Sequence, residues 1–457
     1  MGNLSLYSCL RFPPRLASGC RSASGTLEEG RRLACGPTCL MSSQTAACTT
    51  ITLSYWAQAL AVRASYLKFH PESDFHILVV DGPEPGFSVP AGIKVHWAKD
   101  LPLEGFDSYC MRYNAMELVT SLKAPFLRHL LQTGFYDKVL HLDADVIVFD
   151  RLDLLFSRLE LSAVVLTPHL LSPLPDHYQP GEINFLLAAD HNSGFIGFNR
   201  SEEAIHILRW LEARCREGCY DDPSIGLCTD QKWYNLLPSL FAGVHIERSP
   251  QFNVAYWNLH ERRLSFQDGK WWVNAEVRLA FFHFSGCSPL RPGTLTRYAS
   301  RYDLEDRPEL RPLVEAYFQA LREQGWPAST ERPYRFDTFS DGSPISLTAR
   351  HLYAISPYRH MAVDPFEAGG LFYEFCQKWN LFGKQHAASA SNRWTTQHQD
   401  PRLRFIRAMF SLVLRFLGPS RYAALLNHLQ WTTAVRNQSS IFFCQPAPPP
   451  VPESRTV

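Results

Sequence analysis

The chain has 457 residues, and at about 150 residues per folding unit that leaves room for two to three units around a large buried core. Lys and Arg number 45 against 44 Asp and Glu, a net charge of +1, so no cationic excess is present to hold a phosphate polymer, and nucleic acid is excluded as a partner. Hydrophobic residues make up 46 % and aromatics 13 %, which suits a soluble globular protein with either a heavily aromatic core or a surface that stacks flat rings.

Residues 1–45 are rich in Ser, Gly, Arg and Cys and show no periodicity, so a disordered tail, or sequence translated upstream of the true start, is expected there. Arg11, Arg15 and Arg21 stand among Pro, Ser and Gly without an apolar stretch between them, so no signal peptide is expected, and Leu6 breaks the myristoylation pattern. From Thr49 the text alternates. Thr50–Leu53 predicts a strand, Trp56–Leu67 a helix, Phe75–Val80 a strand closed by the turn Asp81-Gly82-Pro83, and Ile93–Trp97 a third strand. Tyr113–Leu131 carries helical periodicity and Lys138–Leu142 predicts a buried strand. Further strands are expected at Ser162–Thr167, Phe195–Phe198 and Leu279–Phe284, and helices at Glu202–Cys215, Asp230–Leu237 and Leu310–Arg322. Strands alternating with helices predict an α/β fold with a doubly wound, mainly parallel sheet.

The expected organisation is a tail over 1–45, a catalytic domain over 46–305, a mixed α+β extension over 306–385, a helical basic segment over 386–435 and a Pro-rich tail over 436–457. Leu403, Ile406, Phe410, Val413 and Leu417 recur at helical spacing, with Arg402, Arg404, Arg407 and Arg415 around them. That pattern fits packing on the catalytic domain or peripheral contact with the inner face of a membrane. No apolar run approaches the roughly 18 residues of a span. The cysteines lack His couples at zinc spacing (Cys215 and Cys219 among them) and read as free thiols, so the chain is expected in the cytoplasm.

The chemistry gathers where Lys138–Leu142 runs into Asp143-Ala144-Asp145. In an extended chain, residues two apart project to one side, so both carboxylates can face one hard cation such as Mn²⁺ or Mg²⁺ at the carboxyl edge of the sheet. Downstream, Phe281-Phe282-His283-Phe284-Ser285-Gly286 ends another apolar strand in an imidazole that suits Mn²⁺, with Gly286 allowing close backbone approach to a phosphate. On the residues alone His283 reads more readily as a satisfied core histidine, and the Asp-x-Asp pair is what favours a ligand.

Leu140-His141-Leu142-Asp143-Ala144-Asp145, His191-Asn192-Ser193-Gly194, Thr229-Asp230-Gln231 and His283-Phe284-Ser285-Gly286 occur in the order seen in the family-8-type glycosyltransferases, the nucleotide-sugar-dependent group with the GT-A fold, and the chain resembles them over about residues 49–380. Asn253-Val254-Ala255-Tyr256-Trp257-Asn258-Leu259 and Phe339-Ser340-Asp341-Gly342 further resemble bacterial glycosyltransferases of unassigned acceptor. The resemblance implies metal ligation by Asp143, Asp145 and His283, and stacking of Tyr55 on the nucleotide base. It implies donor binding by Lys123, Arg128, Asp143, Ser193 and Gly286, and catalytic positions for Asn192, Asp230 and Gln231 beside the donor sugar. It implies a uridine diphosphate donor, Mn²⁺ or Mg²⁺, and retention of anomeric configuration, with a glycan, lipid-linked or protein acceptor. Read as residues, Tyr55 fits surface packing and Asp230 fits the N-cap of the following helix equally well. The family commonly carries a Lys-Pro pair after its His and Gly; here the stretch is Cys287-Ser288-Pro289-Leu290-Arg291-Pro292, with Arg291 as the nearest cation. Two other readings compete with transfer: a GT-A-like sugar-binding protein without turnover, and a nucleotidyltransferase. The second needs a Gly-rich basic loop after the first strand, where Leu53-Ser54-Tyr55-Trp56 stands instead.

Overall fold

A computed structural model describes residues 44–383, 401–438 and 442–443. The fold is mixed α/β. Eight strands occupy the first part: β1 Thr45–Ile51, β2 Asp74–Val79, β3 Lys94–Trp97, β4 Lys138–Leu142, β5 Val146–Val148, β6 Val164–Pro168, β7 His191–Asn199 and β8 Val244–Ile246. Four more follow: β9 Leu264–Gln267, β10 Lys270–Val273, β11 Val277–Arg278 and β12 Phe281–His283. The main sheet has seven strands in the order β3-β2-β1-β4-β7-β6-β8, and every pairing is parallel except the two made by β7. β9–β11 form a small antiparallel sheet, and β5 pairs with β12.

Successive residues of the central strands feed different cores, as the period of two requires. Cys48, Leu78, Val139, Val164 and Ile196 face the helices Phe106–Arg112, Lys123–Gln132 and Glu202–Gly218. Their neighbours Ala47, Ile77, Leu140, Val165 and Phe195 face the helices Trp56–Phe69 and Asp153–Leu161. Helices on both faces leave the sheet's carboxyl edge as the place where side chains of different strands can meet a ligand. The strand order reverses between β1 and β4, and such a switch point is where open α/β sheets hold their ligands.

Two expected helices are broken: Asp230–Leu237 becomes Gln231–Tyr234 and Leu237–Leu240, and Tyr113–Leu131 divides as well. Periodicity runs unbroken through Tyr113–Leu131, but the structure has two helices, Ala115–Ser121 and Lys123–Gln132, divided at Leu122 (φ −93°, ψ 0°). Pro125 has no N–H for residue 121 and its ring would strike that carbonyl, so it is accepted only in the first turn of a new helix. The break puts Lys123 at a helix start, within reach of Asp143 and Ser193. The first strand also begins earlier than expected, at Thr45 rather than Thr50.

Expected residues 1–43, 384–400 and the end of the chain lie outside the described residues. Within the stretch expected as a Pro-rich tail, Phe442 and Phe443 pack on a satellite core that includes Phe372 and Phe375. The seven cysteines among the described residues are free thiols.

Candidate active site

β4 is buried along its whole length and leaves the sheet at Asp143. The Asp143 N–H donates to the Gly194 carbonyl of β7 (2.8 Å), and the Val146 N–H closes the turn onto the Asp143 carbonyl (3.1 Å). The chain then re-enters as β5, whose register sets His283 opposite Val146, next to Asp145. His283 Nε2 thereby comes to 3.0 Å from Asp145 Oδ1. One ligand atom from each of Asp143, Asp145 and His283 lies within 4.8 Å of the others.

His283 is held by its second nitrogen. Nδ1 lies 3.2 Å from Asn192 Oδ1 and 3.3 Å from Asn253 Oδ1. Asn192 Oδ1 also accepts the Gly194 N–H (3.0 Å), while its Nδ2 donates to Gln231 Oε1 (3.2 Å), which fixes the amide orientation. With oxygen acceptors at Nδ1, that nitrogen carries a proton, and Nε2 is the one turned to the carboxylates. Burial alone would lower the His283 pKa, but the Asp145 carboxylate outweighs it and raises it; Asp145 is held low in return, against its own burial. Two carboxylates and an imidazole oriented in this way fit a hard or borderline divalent cation, which would replace the proton between Nε2 and Asp145. Trp257 closes the back of the imidazole edge-on, at 5.3 Å between ring centres.

Lys123 is fully buried. Its Nζ lies 2.8 Å from Asp143 Oδ1 and 3.7 Å from Asp230 Oδ2, and donates to the Ser193 carbonyl at 2.9 Å. Burial would lower its pKa, but Asp143 and Asp230 prevail and hold it charged. Asp230 is not an N-cap: its carboxylate makes no cap bond to the helix, and instead accepts from Tyr234 Oη (2.7 Å) and Thr229 Oγ1 (3.2 Å). Burial pushes its pKa up against Lys123, while Thr229 before it sits at φ 49°. Such left-handed backbone is costly for a β-branched residue and is kept only where surroundings impose it. Gln231 Oε1 accepts the Ser193 N–H (3.0 Å), so Asn192, Ser193, Asp230 and Gln231 form one network with Lys123 and His283.

Tyr55 follows β1 in a short 3₁₀ turn and stays 48 % exposed, so its ring face is open. Arg128 does not join the cluster. Five residues past Lys123 on one helix, it points roughly 140° away, pairing with Glu212 (2.8 Å) and Gln132 (2.8 Å). Gly286 has φ 73°, and a Cβ there would stand 2.6 Å from the Tyr298 ring, so its small size serves the turn and that packing.

Sequence reading missed two parts of this region. Asn253, at φ 52°, meets the same His283 nitrogen as Asn192, donates to Asn192 Oδ1 (3.1 Å) and also bonds Thr167 Oγ1 (3.0 Å). Arg297 lies over the Tyr298 ring, 4.8 Å from its centre, and its N–H bonds the Gly286 carbonyl (3.2 Å). Its charge acts on both Tyr55 and Asp145, whereas Arg291 is exposed on the 288–294 turn. Asn253 stood inside a quoted motif, so its polar side chain within an apolar run was the available signal; Arg297 had none.

No protein-family model matches the chain. It is 24 % identical over 246 residues to the uncharacterized protein YfnF of Bacillus subtilis (strain 168), covering 52 % of this chain and 80 % of that protein. It is 27 % identical over 231 residues to the uncharacterized protein YfnD of the same organism, covering 50 % of this chain and 70 % of that one. Among solved structures it is similar to the galactosyltransferase LgtC in complex with donor and acceptor sugar analogs, at 17 % identity over 61 % of this chain and 96 % of that one, with a TM-score of 0.37. It is also similar to the apo form of the glycosyltransferase GlyE of Streptococcus pneumoniae TIGR4, at 15 % identity over 65 % of this chain and 66 % of that one, with a TM-score of 0.35. At such scores the functional reading rests on the site's own geometry.

Proposed function

We propose that the chain is a metal-dependent glycosyltransferase of GT-A type that moves a sugar from a nucleoside diphosphate donor, a uridine diphosphate sugar in our reading, to an acceptor hydroxyl. The observation that carries this is the convergence of Asp143, Asp145 and His283 at the switch-point edge of the sheet, with the imidazole tautomer set by Asn192 and Asn253. A divalent cation bound there supplies charge neutralisation for the departing diphosphate.

The chain's own residues do the rest. Tyr55 offers an open ring to the nucleotide base, and Arg297 a cation beside it. Lys123 acts as internal counter-ion to Asp143 and Asp230 within a buried network. Asn192, Ser193, Asp230 and Gln231 line the neighbouring wall, where polar groups suited to sugar hydroxyls are already ordered. In the step itself the acceptor oxygen bonds the anomeric carbon as that carbon's bond to the diphosphate oxygen breaks. The hydroxyl proton leaves to the departing phosphate, and retention of configuration requires both on one face of the sugar.

A panel of nucleotide sugars assayed for released nucleoside diphosphate, with and without Mn²⁺, tests the reading. Metal-dependent release from one donor class is expected, falling at least about a hundredfold in Asp145→Ala. Release that Asp145→Ala leaves intact would overturn it.

A further inference from the structure

The run Pro401–Thr433 is helical on both sides of Gly418, where φ 70° and ψ 167° break it, with Pro419 opening the second arm. Phe410 and Tyr422, twelve residues apart, come within 6.4 Å of each other between ring centres. In a straight helix they would be about 18 Å apart. The two arms therefore fold back as a hairpin.

The second arm is pinned to the body. After it, Val435 joins Phe442 and Phe443 on the satellite core, where Phe443 stacks on Phe375 at 5.3 Å and Phe442 meets Trp379 at 4.9 Å. The arms themselves are uncovered. Phe405 is 73 % exposed, Phe416 81 % and Trp431 61 %, and Met409, Leu412 and Leu414 are exposed between them. An exposed apolar surface of this kind marks an interaction site.

Charge says what covers it. Residues 401–438 contain six arginines and no Asp or Glu, while the rest of the chain has five more acidic than basic side chains. A basic element on an acidic body is drawn to an anionic surface and repelled by a second copy of itself. An anionic polymer would satisfy the arginines but leave the Phe, Leu and Trp side chains in water. A bilayer bearing anionic headgroups satisfies both, because aromatic and aliphatic side chains enter the acyl boundary while guanidinium groups stay among phosphates. No helix among the described residues is long and apolar enough to cross a membrane, so the hairpin would lie along the surface.

We propose that the hairpin 401–433 docks the protein on a bilayer containing anionic phospholipid. The test is flotation of the full chain with vesicles of phosphatidylcholine alone or mixed with phosphatidylglycerol. Flotation is expected only with phosphatidylglycerol, with release as salt shortens the electrostatic reach. Replacing the exposed apolar side chains together (Phe405→Ser, Phe416→Ser, Trp431→Ser) should cut binding by roughly tenfold or more, and Arg415→Glu with Arg421→Glu should do the same. Circular dichroism and the melting temperature of the serine variant should stay those of the wild type, since these side chains are in solvent. A wild type that stays unbound with anionic vesicles at low salt would overturn the proposal, as would a serine variant that floats equally well. Light scattering showing a dimer that the serine variant dissolves, without flotation, would assign the face to a second copy and also overturn it.

Discussion

At Gly194 a Cβ would stand 2.2 Å from His283 Cε1 and 2.5 Å from Nδ1, closer than packed atoms approach, so the third residue of His191–Gly194's Asn-Ser-Gly end has to be glycine for His283 to sit against its two asparagines. Gly194→Ala should therefore move the imidazole off Asn192 and weaken Mn²⁺ binding by tenfold or so while the fold survives. Calorimetric titration with the metal alone checks this, and an unchanged affinity would mean that His283 is not a ligand. Arg297 makes a second residue-scale case. Its side chain donates only to the neutral Tyr298 hydroxyl among the described contacts, at 2.6 Å, whereas Lys123 is neutralised by two carboxylates and Arg128 by Glu212. Arg297→Ala should lower affinity for uridine diphosphate by roughly tenfold, with Arg291→Ala close to wild type; the reverse ranking would reassign the donor cation. The Asp-x-Asp pair was legible because its geometry is local, two residues at the end of one strand. The ring around His283 was not, because it joins β7, β12 and the loop before Tyr256, and only the register of β5 on β12 brings them together.

Among the elements, the β2–β3 edge carries a chain of buried hydrogen bonds with a built-in pH response. His76 Nδ1 lies 2.9 Å from His96 Nε2, His76 Nε2 lies 2.7 Å from Tyr136 Oη, and that hydroxyl donates to Asp74 Oδ2 at 2.6 Å. Since the phenol's proton goes to Asp74, His76 Nε2 must donate to the phenol oxygen, and His76 Nδ1 must accept from His96. The chain closes only with the His76 imidazole neutral. Burial, reinforced by neighbouring cations and imidazoles, lowers His76 to about 3 and His96 to about 4. Both lie below the free value of about 6.5, so the unfolded chain binds protons first as pH falls. Stability from this edge is complete above pH 6.5 and is lost as pH descends from there to about 3. The wild-type melting temperature should drop over that window, and His76→Phe with His96→Phe should flatten the drop; parallel curves in the two proteins would exonerate the edge. Elements of this kind were largely legible in the sequence, β2 and β4 to within a residue, because a buried run bounded by turn residues specifies a strand. Where periodicity misled, at Tyr113–Leu131, it described the apolar face correctly but could not weigh what Pro125 does to the backbone within it.

For the whole molecule, the expected boundary near residue 305 bears on how the protein unfolds. Tyr317, in the helix Arg311–Glu323 beyond that boundary, stacks on Phe284 at 4.2 Å between ring centres, and Leu313 and Val314 share a core with Leu279 and Phe282. Further on, the fully buried Arg350 of the helix Leu347–Ile355 reaches back across that boundary. One guanidinium nitrogen donates to the Tyr113 carbonyl at 2.9 Å and to that of Cys110 at 3.3 Å; the other donates to the Phe336 carbonyl and to Asp337. The Cys110 and Tyr113 carbonyls have a charged donor only while the two parts stay docked. Arg350→Leu fills much of the same space but leaves them unpaired in a dry interior, at about 1–3 kcal/mol for each orphaned group. If the extension were an independent domain, that substitution would split the melt, loosening residues beyond 305 first and leaving the sheet at its original temperature. Because one core runs across the boundary, the expected result is a single calorimetric transition moved down as a whole by several degrees. Nucleotide binding should weaken only where that transition begins, since Arg350 touches none of the site residues. A two-step melt in Arg350→Leu, with uridine diphosphate binding retained past the first step, would instead make the extension a separable unit.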